Sequence, residues 1–170
     1  HYKKDGIFAP EGGKNMAPRQ HMRKMKVGKI TFNEAYKAVS EYRRKFPQKA
    51  VTFYAQNYPS MGWAVFMASG SCPVIPCKDK AFLKDAAAME VEETNTDQYK
   101  KLVKSDTGNI IYSKSGTEIP IHLSSGKYVL KYIHPNSGEV NTINKSLKIK
   151  GLYTLKVPDK KEGIYWFHKL

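Results

Sequence analysis

The chain has 170 residues, a hydrophobic fraction of 41% and a formal net charge of +14, with 29 basic residues against 15 acidic. That bounds it to one domain or two small ones with enough apolar residues for a core, and its longest apolar run, Met61 to Ala68, is far short of the about 20 residues a helical membrane span needs. Anionic polymers come into view as partners, yet only Arg19, Arg23, Arg43 and Arg44 are arginine, and a lysine-rich surface speaks for solubility before nucleic acid.

Residues 1–29 read as a long loop: the stretch "DGIFAPEGGKNMAPRQHMRKMKVGK" has glycines and prolines but no sustained period. A chain that starts at His1 is expected to be a mature product or a piece of something longer. Thr31 and Glu34 then form a capping box, and Phe32, Ala35 or Tyr36, Val39, Tyr42 and Phe46 follow at helical spacing. Arg43, Arg44 and Lys45 suit the negative end of that helix, and Pro47 stops it. In "KAVTFYAQN" both alternating faces are apolar or β-branched, which predicts a strand buried on both sides. Pro59 fits a first helical turn, the next residues through Ala68 make a helix apolar all round, and "PVIP" predicts a short strand. A further helix is expected near Lys80 to Met89. Cys72 and Cys77 lie too far apart on an extended segment to bridge, so two free, largely buried thiols are expected.

Beyond the polar stretch "EETNTDQ" the character changes. The segments "NIIYSK", "EIPIHL", "KYVLKYIH", "EVNTINKSLKIK", "LYTLKV" and "GIYWFHKL" are short and rich in β-branched and aromatic residues, with turn residues between them. This spacing predicts an antiparallel sandwich. Trp63 is expected in the core and Trp166 as the anchor of the terminal strands. Of Tyr112, Tyr128, Tyr132, Tyr153, Tyr165 and Trp166, alternation allows only about half to face a ligand. The fold class expected is therefore α+β: the terminal βα units of an incomplete (β/α) barrel over residues 1–95, then a small antiparallel β-sandwich over 96–170.

Several of these stretches resemble a group of secreted bacterial glycoside hydrolases with an apiosidase-like (β/α)8 barrel and a terminal collagen-binding-type β-sandwich. "YVLKYIHPNSGEV" is similar to that terminal domain's strand, turn and strand, "NIIYSKSGTEIPIHL" to the hairpin before it, and "GIYWFHKL" to its closing strand. "MGWAVFMASGS" resembles the penultimate helix of the barrel. The resemblance implies a secreted protein acting on polysaccharide. It also implies a catalytic glutamate at the end of the strand "KAVTFYAQN", where this chain carries Gln56 and Asn57. An amide serves neither as nucleophile nor as base in a two-carboxylate mechanism. Gln56, Asn57 and Tyr58 are expected to contact sugar, or else to form a hydrogen-bonded loop start. Glu11, Arg19 and His21 in the long loop fit an arch over the same rim, or a solvated surface.

The remaining chemistry is sparse. Glu34 follows Asn33, but its place in a capping box accounts for it. "SGSCP" has the wrong glycine spacing for a nucleophile elbow, and the five histidines form no close ligand pair. No metal site, cofactor, phosphate loop or dinucleotide fingerprint is expected. The sequence thus reads as the C-terminal portion of a glycoside-hydrolase-like protein that binds or degrades polysaccharide and is not catalytic on its own. The alternative is a free-standing basic module for anionic glycan or nucleic acid. A continuous lysine face favours the alternative; scattered lysines favour the first reading.

Overall fold

Helix α1, Phe32–Lys45, begins as its sequence dictates: the Thr31 hydroxyl accepts from the Glu34 N–H at 3.3 Å, and the Glu34 carboxylate accepts from the Thr31 N–H at 2.7 Å. In the computed structural model, residues 30–53, 59–104, 107–159 and 161–170 are described. Phe32, Ala35, Tyr36 and Val39 are buried, one face of the helix, and the basic residues Arg43, Arg44 and Lys45 fill its last turn. Helix α2, Pro59–Met67, is buried at every position from Met61 onward. Gly62 allows this, because a Cβ there would stand 1.8 Å from the Val74 carbonyl oxygen. Helix α3, Lys80–Ala86, is capped by Asp79, whose carboxylate accepts from the Ala81 and Phe82 N–H groups.

Six strands follow: β1 Glu90–Glu92, β2 Tyr99–Lys104, β3 Gly108–Ser113, β4 Glu118–Ile133, β5 Val140–Lys156 and β6 Gly163–Lys169. They form one sheet in the order β1-β2-β3-β6-β4-β5, and every pairing is antiparallel. Alternation sends neighbouring residues to opposite faces. Ile110, Ile164 and Trp166 join a core with the three helices, while Ile111, Tyr165 and Phe167 join a second core on the other side. That second core is closed by β4 itself. Its first half pairs with β5 alone, and Ile119, Ile121 and Leu123 fold back onto Ile111 and Phe167. The Lys101 ammonium fastens the return by donating to the Pro120 carbonyl at 3.0 Å.

This small β-rich domain overturns the expected architecture. The described part is a six-stranded antiparallel sheet with three short helices, not the end of a (β/α) barrel followed by a sandwich. Val51 to Phe53 form no strand: Val51 instead pairs with Ser71, accepting from its N–H at 2.7 Å and donating to its hydroxyl at 3.2 Å. "PVIP" is no strand either, since Pro73 and Pro76 have no N–H to give a ladder. Later in the chain, segments expected as separate strands fuse. "EIPIHL" and "KYVLKYIH" are both β4, joined through a register shift between Leu123 and Gly126. "LYTLKV" continues β5 through Gly151, whose φ of 98° bends the strand without ending it. Cys72 and Cys77 are both free, as expected, but only Cys77 is buried and Cys72 is exposed.

The helices and the sheet meet on aromatic rings. Phe82 of α3 lies edge-on to Trp63 and to Trp166, at centroid distances of 6.2 and 5.5 Å, and Phe32 stacks on Tyr112 at 3.9 Å. Trp63 and Trp166 are fully buried, as their sequence contexts predict. Trp63→Ala is expected to lower unfolding stability by about 3–5 kcal/mol in urea denaturation, the usual range for a tryptophan lost from a packed core. A loss under about 1 kcal/mol would mean that the ring carries little of the packing.

Candidate functional site

The sequence placed its site on Gln56, Asn57, Tyr58, Glu11, Arg19 and His21; all six lie outside the described residues. Among the described residues a cleft of about 910 Å³ opens where α1, the α2–α3 connection and the β1–β2 connection converge. Its floor is apolar, with Phe66, Ala68, Met89 and Leu102, and its rim is polar, with Lys37, Glu41, Arg44, Glu93 and Asn95. The rim residues of α1 are its outward face, because Tyr36 and Val39 are drawn into the core. Glu93, Thr94 and Asn95 come from "EETNTDQ", a stretch whose polarity reads as a linker in sequence. Only its position beside α1 makes it a wall.

Lys100 is the unusual cation of this cleft. Its ammonium is buried, sits 4.8 Å from the Tyr36 ring centroid and donates to the Thr96 carbonyl at 2.6 Å, with Asp97 at 3.7 Å. Burial pushes its pKa below the usual lysine value, against the pull of Asp97. Burial also raises the Tyr36 phenol. Exposed pairs edge the opening, Arg44 with Glu93 at 3.5 Å and Lys37 with Asp97 at 3.7 Å. Such pairs contribute little to stability and leave their groups open to exchange for a ligand.

A second, smaller groove of about 460 Å³ lies on the other side of the sheet, lined by Tyr132, Ile143, Tyr153, Lys156, Lys161 and Tyr165. Of the six aromatic candidates, Tyr112, Tyr128, Tyr165 and Trp166 are buried, and only Tyr132 and Tyr153 stay part-exposed. The hydroxyls of Tyr132 and Tyr165 are already spent on the carbonyls of Glu162 and Lys161. The Tyr112 hydroxyl is likewise engaged, by the Glu162 carboxylate. On the helix side, one oxygen of Asp85 accepts from Trp166 Nε1 at 3.1 Å and meets His168 Nδ1 at 2.7 Å, which ties α3 to β6. Among the described residues no group of three His, Cys, Asp or Glu side chains is placed to hold a metal ion, and no helix is long and apolar enough to cross a membrane.

The chain belongs to the family described as "Domain of unknown function (DUF6298)", which matches residues 1–89 and so just over half of its length. The match ends where the sheet begins, at Glu90. Among curated proteins none matches the chain. Among solved structures it has a weak, partial similarity to one titled "Glycoside hydrolase", at 9% identity and a TM-score of 0.36, covering 49% of this chain and 20% of that one. It is also similar to the capsular polysaccharide assembling protein CapF from Staphylococcus aureus, at 14% identity and a TM-score of 0.15, covering 78% of this chain and 49% of that one. The chain thus spans less than half of each of these two structures. Likeness of this degree does not define a shared fold.

Burial holds the Tyr165 phenol up to about 12, against an ordinary value of 10.0. The folded pKa exceeds the unfolded one, so this group's contribution is complete below about pH 10 and is lost as pH rises through about 12. Thermal melts across that window should show falling stability, with a shallower fall in Tyr165→Phe. An identical slope in the variant would mean that this phenol does not drive the alkaline transition.

Proposed function

We propose that this chain is a glycan-binding portion of a secreted glycoside-hydrolase-like protein and is not catalytic by itself. The observation that carries the reading is the cleft of about 910 Å³, with an apolar floor under a rim that holds both donors and acceptors. A sugar presents C–H faces and a girdle of hydroxyls that both donate and accept. It needs that combination of surface, and carboxylates beside amides and ammonium groups supply it. The local likeness of "YVLKYIHPNSGEV" and "GIYWFHKL" to the terminal domain of apiosidase-like, collagen-binding-type hydrolases supports the same reading. So do the amides Gln56 and Asn57, which suit hydroxyl contact and not bond cleavage. In this reading Tyr58, Glu11, Arg19 and His21 are further sugar contacts.

The distribution of charge bears on the alternative of a basic module. Lysines occur on α1, α3, β2, β4, β5 and β6, so the net charge of +14 is spread over the chain and not gathered on one element. The strands carry lysine and no arginine, which favours glycan over nucleic acid as the partner.

Calorimetric titration of the chain with neutral oligosaccharides from plant and host polysaccharides tests the proposal. At least one series should bind. Glu93→Gln and Asn95→Ala should each weaken it by about five- to tenfold, the cost of a hydrogen bond lost to a ligand. Both side chains are exposed, so the melting temperature should not move. Binding that survives both substitutions would take the cleft out of the account.

A further inference from the structure

Register gathers lysines on one bare stretch of the sheet's helix-side face. Trp166 is opposite Lys131, and Lys131 is opposite Thr142. The next row joins His168 to Val129, and the row beyond sets Lys127 directly opposite Lys148. Alternation along β4 puts Lys127, Val129 and Lys131 on the same side. Lys127 and Lys148 are exposed, and Lys131 stands 4.3 Å from the Trp166 ring centroid, roofing it. None of the ion pairs among the described residues involves these three lysines. Asp85, the carboxylate that reaches this face, is already engaged by Trp166 and His168.

Two features set this patch apart from a solubilising surface. Like charges directly opposite on neighbouring strands are destabilising, and Lys127 with Lys148 is such a pair. Lysines on an edge strand guard against strand addition, which accounts for Lys148 on β5. It does not account for Lys127 and Lys131, because β4 is an interior strand between β6 and β5. We infer that this face is a binding surface for a polyanionic polysaccharide, one carrying carboxylates or sulfates at a spacing that meets Lys127, Lys148 and Lys131. A nucleic acid fits less well: the face has no arginine to fork onto phosphate, and its one large ring, Trp166, is fully buried and unavailable to stack on a base. The surface is separate from the cleft, and the inference does not rest on the cleft's role.

The test titrates the full chain with oligogalacturonate, a heparin oligosaccharide, a neutral glucan and a single-stranded oligonucleotide of matched charge, each at two salt concentrations. One or both acidic glycans should bind in a salt-dependent way, and which one binds separates carboxylate from sulfate. Lys127→Ala with Lys148→Ala should weaken that binding by about ten- to thirtyfold. The equal charge change in Lys45→Ala with Lys49→Ala should weaken it far less. Lys127→Ala alone should melt no lower than the parent, since it relieves a like-charge contact. An oligonucleotide that binds as tightly as the glycans would overturn the assignment. So would glycan binding that is indifferent to Lys127 and Lys148.

Discussion

Two tryptophans, each tied across the boundary between helices and sheet, hold this molecule together. Trp63, on α2, donates from its indole nitrogen to the Pro135 carbonyl in the β4–β5 turn at 2.8 Å. Trp166, on β6, donates in the opposite sense to Asp85 on α3. Phe82 fills the space between the two rings. A buried indole N–H without a partner is costly, so each tryptophan constrains the element opposite as well as its own. Gly138 shows how close the approach is: a Cβ there would stand 2.4 Å from the Pro76 backbone, so the turn that carries Pro135 lies against the α2–α3 connection.

The cleft depends on this docking. Its walls are α1 and the connection after α2 on one side, and β1, β2 and their connection on the other. The family match stops between those walls, at residue 89, and the core and the cleft both run across that position. Lys100 works at the same junction: it reaches from β2 to the Tyr36 ring on α1 and holds the β1–β2 connection through Thr96.

Much of the local structure was legible in the sequence. The capping box at Thr31, the basic last turn of α1, the two buried tryptophans and the β-rich second half all follow from short-range chemistry that needs no partner to be named. The partition of the six aromatics was legible in kind but not by residue, because alternation says that some turn inward and not which. The errors have one cause. "KAVTF" has the composition of a buried strand, but Val51 finds its partner in Ser71, a loop residue twenty positions on, and among the described residues it joins no sheet ladder. Fused β4 and β5 were likewise hidden, since Gly126 and Gly151 read as turns when their neighbours are unknown. The cleft itself left almost no signal: its rim comes from a helix face and a polar stretch that are unremarkable apart and become a site only when the tryptophans bring them together.

Native-state amide exchange on α2 and β6 tests that dependence most directly. The reciprocal anchoring predicts that Pro59–Met67 and Gly163–Lys169 open with one shared free energy, and that Trp63→Ala lowers protection in both segments by the same amount. If β6 keeps its full protection in Trp63→Ala while α2 exchanges freely, the sheet does not need the helices, and the account of the core fails.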